Sequence, residues 1–140
     1  MRYPQTGVDS VMLAPITAAT TARTAYVDCK DANYATVRVV LGAEANTNST
    51  NVAIQIGESD DTVATNQATF DADFNRTVDN TAGTVATNHI EWKGRKRYLH
   101  LTVTPDTTTN GAVISSAVAT LHKGVQTATA SDFGDDVIIG

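Results

Sequence analysis

The sequence predicts an all-β fold: one antiparallel sandwich, jelly-roll-like or immunoglobulin-like, carrying extended arms at both ends. Three observations predict it. About one residue in six is Thr, and Val is also common, while charged residues make up only 18%. β-Branched side chains are stiff at χ1 and suit a pleated surface. Several segments alternate apolar and polar residues with a period of two, the mark of a strand with one buried face. Turn residues separate these segments at short intervals, and no stretch has helical periodicity over a useful length.

The elements follow in order. Residues 1–24 are small and mixed, with Pro4, Gly7 and Pro15, and read as an extended N-terminal arm. Val11, Leu13 and Ile16 give this arm its apolar grip, so these three are candidate partner-binding residues. The sandwich is expected over residues 25–124. "TAYVDCKDANYATVRVVLGA" reads as two strands around a turn at Asp31, Ala32 and Asn33. In the second strand Ala35, Val37, Val39 and Leu41 share one face. "VAIQIGESDD" puts Val52, Ile54 and Ile56 on one face. Residues 62–87 are harder to read. Phe70 and Phe74 stand four apart, as on a helical turn, yet the surrounding Thr, Asn and Asp favour short strands and loops. Ile90 and Trp92 lead into "KGRK", a short connection. Beyond it Leu99, Leu101 and Val103 face one way and Tyr98, His100 and Thr102 the other, until Pro105, which lacks an N–H for the ladder, ends the strand. Asn110-Gly111 suits a turn. The last long strand is expected to send Ile114, Val118 and Leu121 inward. Residues 125–140 form a C-terminal arm, polar until Val137, Ile138 and Ile139.

Composition excludes several functions. The 140 residues suit one domain, and 41% hydrophobic residues are enough for a core. The net charge of -5 makes the chain a poor default ligand for nucleic acid. The single cysteine, Cys29, has no intramolecular disulfide partner. The apolar runs are too short to span a bilayer, so no membrane is expected as a partner. Catalytic motifs are missing: no Walker loop, dinucleotide fingerprint or G-x-S-x-G setting occurs. The three histidines are His89, His100 and His122, and the last two fall on strands that sequence alone allows to be neighbours. Glu58, Asp60 and Asp61 match a calcium loop only loosely, without the glycine and terminal glutamate of an EF-hand. No cofactor or metal is expected, and no enzyme activity.

One cluster stands out. Lys93, Arg95, Lys96 and Arg97 are four of the ten Lys and Arg in the chain. They leave the remaining surface more acidic and predict a strong charge dipole. Flanking Trp92 and Tyr98 suggest a single-strand nucleic-acid platform, but the acidic remainder favours a solvated hairpin rim or a patch for an acidic protein partner.

"AYVDCKDANYATVRVVLGA", "VAIQIGESDD", "KRYLHLTVT" and "AVATLHKG" together resemble small virion structural proteins of tailed bacteriophages, some of which are capsid decoration, or cement, proteins. The matching features are Tyr34 before a strand ending in Leu41-Gly42, the run Glu58 to Asp61, and Lys96 to Tyr98. The resemblance covers about residues 26–124 and leaves out both arms. It implies a structural protein on the outer surface of a virion capsid, with the major capsid protein as partner, self-association as trimers, and binding across capsomer boundaries. A tail or neck component is the nearest alternative. A carbohydrate-binding sandwich that stacks sugars on Tyr98, Trp92 or Tyr34 is a more distant one.

Overall fold

The structure is a computed structural model. It describes residues 6–15, 21–43, 50–71, 75–78, 82–105, 113 and 115–123. Nine strands account for most of these: β1 (Thr6–Leu13), β2 (Arg23–Asp28), β3 (Tyr34–Leu41), β4 (Thr50–Ser59), β5 (Ala68–Asp71), β6 (Arg76–Val78), β7 (Thr84–Glu91), β8 (Tyr98–Pro105) and β9 (Ser115–Lys123). One 3₁₀ turn, Ala64–Asn66, precedes β5.

The strands form two antiparallel sheets, β1-β9-β3-β7 and β2-β8-β4-β5, with β6 also paired to β4. Since β5 and β6 both lie along β4, they act as two pieces of one strand position. The pairings are then nested: β1 with β9, β2 with β8, β3 with β7, and β4 with β5 and β6. A long hairpin rolled up on itself gives this order, which is the jelly roll. Of the two sandwiches the sequence allows, the jelly roll is the one that forms.

The period-two reading of the sequence places the core. Ala35, Val37, Val39 and Leu41 of β3 face Val52, Ile54 and Ile56 of β4 and Leu99, Leu101 and Val103 of β8 across the interior, and all are buried. Each of the Val, Leu and Ile side chains among them contributes roughly 1.5–3 kcal/mol by leaving water. Trp92 and Cys29 close the core at one end. Burial pushes the Cys29 thiol up to about 12, so it stays protonated and unreactive at neutral pH.

Four departures from the sequence reading are informative. Residues 6–13, expected in the arm, are extended but lie along β9 as an edge strand of the sandwich. In β9 the inward residues are Ala117, Ala119 and Leu121, whereas Val118 points outward beside Val11 and Arg38. Alanine there lets the sheets approach closely. His100 lies on the outward face of β8 yet is 1% exposed, because the Asp60–Gln67 segment folds over it. Finally, β8 and β9 belong to different sheets, so His100 and His122 are not neighbours. Ile114, Phe74, Asn110-Gly111 and residues 125–140 lie outside the described residues.

Candidate functional site

The cationic cluster is the turn between β7 and β8. Arg95 N–H donates to the Trp92 carbonyl at 3.0 Å, and Gly94 adopts φ +83°, a conformation that L side chains rarely take. A second turn, between β2 and β3, lies against it. Cys29 N–H donates to the Arg97 carbonyl at 2.8 Å, and Trp92 N–H donates to the Asn33 carbonyl at 2.8 Å. The Trp92 indole N–H reaches the Lys96 carbonyl at 3.0 Å and staples the loop to the core. Trp92 is 3% exposed, so it anchors this end and is no stacking platform.

Three of the cations are held by carboxylates of β2 and of the end of β4 and the residue after it. Arg97 grips Asp28 of β2 through two nitrogens, the shorter contact being 2.6 Å, and stacks 5.0 Å from the Tyr98 ring centroid. Its guanidinium holds Asp28 below the usual carboxylate range, and Asp28 in turn raises Arg97. Arg95 lies 4.1 Å over the Phe70 ring, donates to the Glu91 carbonyl and sits 3.7 Å from Glu58. Glu58 also accepts from the Lys96 backbone N–H at 3.1 Å. The Lys96 ammonium is 3.8 Å from Asp60. The Arg97 and Lys96 pairs are exposed and the Glu58 one is partly buried, so they add little to stability; what they do is fix the geometry. They also correct the expected dipole, since three of the four cations have an acidic neighbour. Lys93 has no ion pair among the described residues. The same is true of Lys30 in the adjoining turn.

Between the two turns lies an open cleft of about 430 Å³, lined by residues of both, including Lys30, Trp92, Lys93 and Arg97. The sequence reading found one side of this cleft. It missed Lys30, because nothing local shows that the two turns meet.

The apolar candidates separate. Val11 is 67% exposed on the outer face of its sheet, and Val40 and Val85 are exposed on the same face. Leu13 is 5% exposed and belongs to the core, past an irregularity in the β1–β9 register, so in this fold it is not available to a partner. Ile16 lies outside the described residues.

The groups with chemical potential are engaged internally. Ser59 Oγ stands 2.7 Å from His100 Nε2, a spacing that a nucleophile–base pair would have. Both are buried, and Nε2 also lies 3.0 Å from the Asp61 carbonyl, which Ser59 Oγ contacts as well. A carbonyl only accepts, so the tautomer that fits has Nε2 protonated and leaves no lone pair to take a proton from Ser59. The Asp61 carboxylate accepts from the Asn66 amide and the Val63 N–H, which lower its pKa. His89 shares a 3.0 Å hydrogen bond with Thr36, and burial lowers the pKa of His122. Among the described aromatics only Tyr26 is largely exposed; it meets Tyr98 edge-on.

No family profile matches the chain, and no curated protein matches it in sequence. Solved structures do resemble it. The CBM22-1 xylan-binding domain of Xyn10C from Paenibacillus barcinonensis aligns with a TM-score of 0.53 at 11% identity, over 87% of this chain and 86% of that one. A chain of the disulfide-linked pili of Bacillus endospore appendages aligns at 0.43 and 15%, over 88% and 93%. A chain of Desmodium yellow mottle tymovirus aligns at 0.38 and 8%, over 92% and 94%. The last two likenesses are too loose to carry an argument. The first shows that this chain has the antiparallel β-sandwich fold of a xylan-binding domain.

Proposed function

We propose that this protein is a non-catalytic structural component of a bacteriophage virion, decorating the capsid and stabilising it by binding the major capsid protein across capsomer boundaries, as a trimer on the outer surface. One observation carries the reading: the polar groups that resemble catalytic ones are buried and bonded to each other, whereas the cationic end of the sandwich is rigid and exposed. Surface cations held at fixed positions by neighbouring carboxylates suit recognition of another protein. The sequence resemblance to small phage virion proteins supports the same reading. Many copies on one shell add weak single contacts into firm attachment. The sugar-binding alternative needs a row of exposed rings. Trp92 is buried, Tyr34 and Tyr98 are half-buried, and Tyr26 alone among the described aromatics is largely exposed, so that reading ranks lower.

The test is cosedimentation of the purified protein with undecorated phage heads over a series of salt concentrations. Saturable binding that weakens with salt is the expected result. No binding to heads of the matched phage at any salt concentration would overturn the proposal.

A further inference from the structure

The cleft between the two turns has a chemistry of its own. Its rim carries two kinds of cation. Arg95, Lys96 and Arg97 are engaged with Glu58, Asp60 and Asp28. Lys30 and Lys93, one from each turn, are exposed and have no ion pair among the described residues; one carboxylate, Asp31, also lines the cleft beside Lys30, so cations outnumber it there. The walls are held rigid by backbone bonds from Cys29 to Arg97 and from Trp92 to Asn33, so the two lysines are offered from a fixed frame. A ligand that places a negative charge near each lysine gains two contacts without breaking an existing pair.

We propose that this cleft docks an acidic peptide segment of a partner protein, whose carboxylates meet Lys30 and Lys93. The inference rests on the structural-binding reading above and names the chemistry of the contacted surface. Spaced carboxylates on a peptide match two separated ammonium groups. A nucleic-acid strand presents a continuous row of phosphates and needs a continuous row of free cations. Here the row is interrupted by Asp28, Glu58 and Asp60, and the whole chain carries -5. Charge complementarity therefore favours the peptide.

Trp92 is the only tryptophan and lines the cleft, so its emission reports occupancy without a label. The intact protein is titrated at low salt with a short peptide alternating Glu and Gly, and separately with single-stranded oligo-dT. The expected result is a saturable change in Trp92 emission with the peptide, reversed by salt and weakened about tenfold or more in Lys30→Glu/Lys93→Glu. An Arg38→Glu control, exposed in the middle of β3 and outside the cleft lining, should bind like the parent. Both variants replace exposed side chains, and circular dichroism confirms their fold. An equal response from the double variant would overturn the site, as would tighter binding of oligo-dT than of the peptide. Residues 125–140 contain Asp132, Asp135 and Asp136. If the peptide bound only after these became Asn, the chain's own C-terminal segment would be the occupant and the partner proposal would fall. Head binding without peptide binding would remove this site and leave the structural reading standing. Peptide binding without head binding would do the reverse.

Discussion

At the level of single residues, charge placement governs what this protein does as pH changes. Arg97 holds the Asp28 carboxylate below its ordinary range. A depressed carboxylate contributes stability above its unfolded pKa, about 3.9, and loses it as pH falls through the lower folded value. Arg97→Ala should therefore cost stability at neutral pH, and the gap to the parent should close in acid below about pH 4. The effect will be small, because both partners are exposed. His122 acts at higher pH. Burial favours its neutral form, so the unfolded chain takes up the proton first and stability falls as pH drops below about 6.5. Urea midpoints measured from pH 8 down to pH 2 should show a first decline assigned to His122 and a later one that Arg97→Ala reduces. A flat profile across the first range would contradict the placement of His122.

At the level of strands, β1 shows how far sequence patterns reach. Val11 and Leu13 look alike in the chain, both apolar and two apart, and a period of two would put them on one face. The register irregularity between them sends one outward and the other into the core. Leu13→Ala should cost about 2–5 kcal/mol, as large-to-small core changes do, whereas Val11→Thr should stay within about 0.5 kcal/mol. Thermal or urea denaturation of the two variants measures the contrast, and equal losses would mean that both face inward. The inward faces of β3, β4 and β8 were legible because large apolar residues alternate strictly with polar ones. In β9 two inward positions, Ala117 and Ala119, are alanines with the larger Val118 between them, so weighting by size put Val118 on the wrong face, while Leu121 faces inward as expected. The cover over His100 could not be foreseen either. At Gly57 an added Cβ would stand 3.0 Å from the Ala68 carbonyl oxygen, so the chain following this cover runs close against β4, and no local pattern reveals that approach.

At the level of the whole molecule, the nested pairing joins strands from opposite ends of the chain. β1 pairs with β9, and β2 with β8, so most of the interior is closed by strands far apart in sequence. Contacts so distant in sequence require loop closure before they bring any gain, so folding should take milliseconds to seconds, as in other sandwiches. Stopped-flow refolding followed by Trp92 emission checks this, and a microsecond phase with full amplitude would refute it. The fold class was readable from composition and periodicity. The cationic end was half readable, since its four cations fall within five residues, whereas Lys30, Asp28, Glu58 and Asp60 reach them only through tertiary structure.

The pairing of the cations has a consequence for selectivity. "KGRKR" as a free peptide would adhere to any polyanion. In the folded chain Arg95, Lys96 and Arg97 each face an acidic side chain distant in sequence, Glu58 at the end of β4, Asp60 just beyond it and Asp28 of β2, and Lys30 and Lys93 are left without an ion pair among the described residues. If the cleft binds as proposed, a surface built this way should discriminate against long polyanions, because most of its positive charge is already neutralised internally.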